Sequence, residues 1–231
     1  MCAFFDFEKS GEVRNNIDGE YRCGAFVIAY WLGMNNNSSD EAKILNYDEN
    51  NGYECEKIIN GIYYNNIQFS KEEIKIIESN YNNIEIKEQY TNPLKMSDYL
   101  SDKLNAEITV EYLEGFVISD LFKGVTESFK YKTSPIYTNS FRKMEDGEKI
   151  IIATAKDENI ANHYIFAYKD NDTIQIMDPD SKNGVYTMNT AIENLKSDNG
   201  RIKYSYKKGE KPEESSYKFG GFIIRKGGKC S

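Results

Sequence analysis

The chain has 231 residues, a formal net charge of −8 and a sequence pI near 5.0. That length can fill one core, or one core with a small appendage, and the acidic balance argues against nucleic acid or an anionic membrane as the main partner. Mean hydropathy is low at −0.67, yet 18 Tyr and 12 Phe are more aromatic side chains than a disordered chain carries.

Residues 1–20 read as irregular, with Gly11 and Gly19 as breakers. The segment Met1 to Asp6 has no basic stretch followed by a long apolar one, so no general secretory signal peptide is expected. A cytoplasmic location, or secretion by a specialised system that leaves no mark here, remains. A helix is predicted from Cys23 to Gly33, apolar along its whole length. The polar turn Asn35 to Ser38 follows, with Ser38 or Ser39 placed to cap a second helix. Tyr53 to Tyr63 has mixed helical spacing. Ser70 and Glu73 form a capping-box pattern that opens a helix running to about Asn80. Another short helix is predicted over Met96 to Leu104, started at Ser97.

The character changes near residue 106. Ile108 to Tyr112 alternates as a strand does, and Lys149 to Thr154 reads as a short buried strand. Strands at 163–168 and 173–177 are joined by the polar turn Lys169 to Asp172, a hairpin. Val185 to Met188, Arg201 to Tyr206 and Phe222 to Arg225 are further strands, and Thr190 to Ser197 a helix. Helices first and strands afterwards is the α+β pattern. One domain over 1–231 is expected, its helical half about 1–106 and its sheet half about 107–231.

His163 is the only histidine, and it opens one hairpin strand while Asp178 follows the other. A turn centred on Asp170 and Asn171 sets the two close to opposite. Tyr164, Phe166 and Tyr168 then share one face, and His163 lies on the other with Ile165 and Ala167. A carboxylate in that place accepts a hydrogen bond from the imidazole and fixes its tautomer. Cys23 heads the apolar helix, where unpaired backbone N–H groups and the positive helix end favour a thiolate. Gly24 would let a substrate backbone come close. Nucleophile, base and orienter are therefore Cys23, His163 and Asp178. Each also has a plainer reading: a buried thiol, a half-buried ring, a turn aspartate. For the oxyanion donor, Asn15, Asn16 and Asp18 lie upstream. An ionised aspartate would repel the oxyanion, which leaves Asn16 to act with the Cys23 N–H. Trp31, about two turns beyond Cys23, reads as core.

The other cysteines, Cys2, Cys55 and Cys230, read as reduced thiols with no CxxC pair. One histidine supports no His-rich metal site, and neither a metal nor an organic cofactor is expected. No stretch approaches the ~18 apolar residues of a membrane span, so no integral membrane association is expected.

The order Cys23, His163, Asp178, with Cys23-Gly24 and Asp178-Pro179, resembles the papain-like cysteine peptidase superfamily. The bacterial members of the YopT/AvrPphB effector type and the bacteriocin-processing peptidases are the most similar in pattern. The resemblance covers about 15 residues around Cys23 and about 25 around His163, with nothing nameable between them. It implies a papain-like α+β fold and a cysteine protease of bacterial effector or toxin type acting on a protein or peptide. The superfamily's Gln or Asn five or six residues before the cysteine is missing, since those positions are Asp18 and Ile17. Related folds run glutamine deamidation or acyl transfer with the same triad, and an inactive binding protein could keep the fold.

Overall fold

The computed structural model describes residues 22–45, 50–81, 90–125, 128–155, 163–179, 186–196, 201–208 and 211–227. It is an α+β structure, with helices leading and a mostly antiparallel eight-stranded sheet following.

Helix α1 (Cys23–Asn35) is buried from Cys23 through Gly33. No polar face exists to turn toward water, so it is packed all round, by α2 (Ala42–Leu45), α3 (Gly52–Ile62), α5 (Pro93–Leu104) and the sheet. Each of its large side chains, Phe26, Ile28, Tyr30, Trp31 and Leu32, contributes roughly 1.5–3 kcal/mol by leaving water. Ser39 begins α2, its Oγ accepting from the Ala42 N–H at 3.3 Å. α3 continues into a π-helical turn, Tyr63–Ile67. α4 (Lys71–Asn80) starts on the Ser70–Glu73 capping box, with both reciprocal bonds formed. α5 starts four residues earlier than Ser97. Asn92 Oδ1 caps it by accepting from Leu94 and Lys95, and Pro93 fits the first turn, where its missing N–H costs nothing. Ser97 instead donates to the Ile108 carbonyl from inside the packed interface.

The strands are β1 (Ile108–Leu113), β2 (Ile136–Thr138), β3 (Lys149–Ala155), β4 (His163–Asp170), β5 (Thr173–Met177), β6 (Tyr186–Met188), β7 (Arg201–Lys208) and β8 (Lys211–Lys226). Three elements of this half were not foreseen: helix α6 (Val117–Val125), the short strand β2 and the first part of β8. The predicted helix over 190–197 is one 3₁₀ turn, Ile192–Asn194. β1 and β2 run parallel, the one parallel pair among the described strands.

The strand order is β2-β1-β8-β3-β4-β5-β6-β7, and β7 pairs back onto β8. Six strands, β3 to β8, thus close into a barrel. Its interior is a cluster that includes Ile150, Ile152, Ile165, Ala167, Ile176, Ile202 and Ile223. Tyr164, Phe166, Ile151 and Ile224 point the other way, into the cluster shared with α1. The alternation expected for β4 is therefore present.

β8 can serve both the flat part and the barrel because it bends. Its register with β3 shifts between Ile152 and Thr154, a bulge that takes in Gly220 and Gly221. Gly221 has φ +93, and a Cβ there would lie 2.6 Å from Ile118 Cγ2. Both facts demand glycine. Gly61, within α3, has ordinary φ and open space around it. Gly221→Ala is expected to destabilise by about 2 kcal/mol or more, while Gly61→Ala stabilises by roughly 0.5–1 kcal/mol. Urea denaturation of both variants checks this, and equal stability for the two would contradict the account of the bulge.

Candidate active site

α1 begins at Cys23 itself. Arg22 is the cap residue and makes no side-chain cap bond, and the first turn holds no acid. The positive helix end is left to the thiol. β4 begins at His163, which pairs with Thr154 of β3. The packing of α1 on β4 brings the two element starts together, close enough for the Cys23 side chain and its charge to act on the His163 ring.

The hairpin register differs from the one expected. Phe166 pairs with Met177 and Asp170 with Thr173, so the turn centres on Asn171 and Asp172. Asn171 takes the left-handed conformation there, φ +52, which asparagine tolerates. Extending that register sets Asp178 across from Ile165 rather than His163. The slip is two residues, so the side chain keeps its face, and a diagonal neighbour is still within reach. His163 Nε2 and Asp178 Oδ1 lie 2.7 Å apart. With Nε2 committed to Asp178, Nδ1 is the ring nitrogen left for the thiol.

Cys23 is 9% exposed, against 3% for His163 and 5% for Asp178. All three are buried. Burial opposes charging of His163, but hydrogen bonds to Asp178 and Cys23, reinforced by their negative charges, outweigh it and raise its pKa to about 9. At neutral pH the ring is an imidazolium.

Three further residues build the site, and no local pattern marks them. Thr91 fills the space beside Gly24, where a Cβ would sit 2.8 Å from Thr91 Oγ1. Gly24 therefore serves close packing of α1 on Thr91, not the approach of a substrate backbone. Thr91 is fixed by a bridge to Gln68. Tyr164 Oη donates to the Thr91 carbonyl at 3.1 Å. Burial raises the Tyr164 pKa, the Thr91 contact lowers it and the neighbouring Cys23 raises it, leaving it well above its usual value, so it stays a donor. Tyr217 of β8 covers the His163 ring, with centroids 5.4 Å apart. Trp31 sits in the core, 2% exposed, against Phe166. Asn15, Asn16 and Asp18, the oxyanion candidates, lie outside the described residues.

Among the described residues no group of three His, Cys, Asp or Glu could hold a metal ion. Nor is any described helix long and apolar enough to cross a membrane.

A histidine whose pKa is about 9 folded and ~6.5 unfolded binds its proton more tightly in the folded state. The resulting stability is fully present below pH ~6.5 and is lost as pH rises through about 9. The stability that wild type gains over Asp178→Asn through His163 is expected to shrink across that window, because the variant has a lower imidazole pKa to lose. The single imidazole also gives one unambiguous NMR titration, expected near 9 and lower in the variant. An unshifted imidazole with the same pH slope in both proteins would remove the ion pair.

No family model matches the sequence, and no curated protein matches it. One solved structure, the crystal structure of the Pseudomonas avirulence protein AvrPphB, is similar over 91% of this chain and 93% of its own, at 11% identity and a TM-score of 0.34. The functional reading therefore rests on the residues of the site.

Proposed function

We propose that the chain is a papain-like thiol hydrolase, a cysteine protease of bacterial effector type that cuts a protein or peptide, folded as one domain. The observation that carries this reading is the unbroken line of contacts from Asp178 to His163 to Cys23 at an uncapped helix start.

In this mechanism the resting state is an ion pair, with the proton already on His163. The Cys23 thiolate attacks the carbonyl carbon, and the carbon–oxygen π electrons move onto oxygen. The Cys23 backbone N–H, with Asn16 as its proposed partner, meets that oxyanion. The intermediate collapses as the carbon–nitrogen bond breaks, and His163 gives its proton to the departing amine. The product is a thioester on Cys23. Acylation cancels the sulfur's charge, and with it two of the influences that raise the His163 pKa. Burial then counts for more, and the neutral ring can take a proton from water. Water attacks the thioester as His163 takes its proton, the carbon–sulfur bond breaks, and the acid product leaves with the Cys23 thiolate and the His163 imidazolium restored. Asp178 holds the ring throughout.

The rate of iodoacetamide alkylation at Cys23, followed by peptide mass spectrometry, tests the nucleophile. Fast labelling well below the free-thiol pKa of ~8.5 is expected, slowed at least about tenfold in His163→Ala. An ordinary thiol profile unchanged by His163→Ala would remove the triad. Incubation with an unfolded protein such as reduced casein should then yield new N-termini. Ammonia release without new N-termini would replace peptide cleavage by glutamine deamidation on the same triad.

A further inference from the structure

We propose that Arg22 is an anion-binding residue beside the nucleophile, selecting substrates that carry a carboxylate next to the bond that is cut. This rests on Cys23 being the nucleophile.

Arg142 and Arg225 meet carboxylates, and among the described residues Arg22 does not. A guanidinium keeps its charge at any accessible pH and needs acceptors when it leaves water. Arg142 meets Glu148 at 2.8 Å and 3.0 Å with its two terminal nitrogens. Arg225, fully buried, has Nε on the same carboxylate at 2.9 Å and Nη1 3.5 Å from Glu111. Arg22 is half-buried and meets no carboxylate among the described residues. Its Nη1 is out of solvent with no acceptor. Its Nη2 makes one long contact, 3.4 Å, to Tyr64 Oη. The guanidinium carbon lies 5.5 Å from the centroid of the Tyr64 ring.

Stacking on a ring steadies the plane of a guanidinium but leaves its in-plane donors unused. A withdrawn donor with no acceptor costs roughly 1–3 kcal/mol, more when charged. Such a cost is commonly met at sites that a ligand completes. A carboxylate supplies what is missing, because its two oxygens match the fork of donors.

Position supplies the rest. Arg22 is bonded to Cys23, so the two Cα atoms are ~3.8 Å apart. It caps α1 with no side-chain cap bond of its own, so the partial positive charge of the helix end adds to the guanidinium. An anion bound here is held by the residue bonded to the proposed nucleophile. The overall charge of −8 would repel an acidic substrate at long range. Selection is then local, by one cation at the reacting centre.

Two alkylating agents read this without a known substrate. Iodoacetate carries a carboxylate, and iodoacetamide is its neutral counterpart. The ratio of their rate constants at Cys23, from peptide mass spectrometry, cancels changes in intrinsic thiol reactivity. The His163 imidazolium also attracts iodoacetate, so the comparison is between proteins. Arg22→Met is expected to lower the iodoacetate-to-iodoacetamide ratio by about tenfold. Arg22→Lys should lower it less, because the charge stays while the fork is lost. Lys57→Gln, which removes an exposed cation elsewhere, should leave it unchanged. A ratio unaltered in Arg22→Met overturns the proposal, and so does an equal drop in Lys57→Gln. Failure of the nucleophile reading shows separately, as slow iodoacetamide labelling that ignores His163→Ala.

Discussion

The site depends on a helix that has no polar side. α1 is buried along eleven consecutive residues, from Cys23 to Gly33. An element like that cannot lie on a surface, so other elements must enclose it. Enclosure fixes its axis, and a fixed axis fixes where its N-terminus points. The thiol therefore sits at the end of a rod held on every side, by α2, α3 and α5 and by the sheet through β4. Thr91, pressed against Gly24, sets the last ångström of that placement. A site of this kind needs its nucleophile held to within a fraction of an ångström, and a rigid element achieves that better than a loop.

The sheet supplies the other half. β4 faces two cores, with Tyr164 and Phe166 against the helices and Ile165 and Ala167 inside the barrel. Its register cannot slip by one residue without exchanging both sets. His163 is thus locked at the strand start by packing far from the ring. β8 completes the arrangement. It bends at Gly221, joins the flat sheet to the barrel, and carries Tyr217 over the imidazole. One strand thereby ties barrel closure to the roof of the site.

What could be read from the chain was whatever local pattern encodes. The apolar run after Cys23, the Ser70–Glu73 capping box and the alternation in β4 each declare themselves within a few residues. The pairing of His163 with Asp178 was readable because a hairpin is local. Even so, its register was off by two, because Asn171 rather than Asp170 takes the turn. The slip was harmless only because strands repeat every two residues. Thr91, Tyr164 and Tyr217 were not legible as partners of the site. They reach it through contacts across 54 to 73 residues of sequence, which no window spans. The start of α5 was misplaced because Ser97 looked like a cap, while Asn92-Pro93 satisfies more backbone donors. The first part of β8 has little apolar alternation, and it is a strand because β7 pairs with it. Gly24 was read for its smallness correctly and for its neighbour wrongly: what comes close is Thr91.

Charge explains why these groups are gathered so tightly. A buried imidazole on its own would lose its proton near neutrality. His163 keeps it because a carboxylate and a sulfur lie on either side. The two supports differ in kind. In the proposed reaction acylation removes the sulfur's charge while the Asp178 contact stays in place. One partner would be constant and the other spent and restored with each turnover. The histidine would thereby be pushed toward the acid form before attack and toward the base form after it, with no movement of the backbone. A low dielectric strengthens both influences, which is why the withdrawal of His163 and Asp178 from water serves the chemistry.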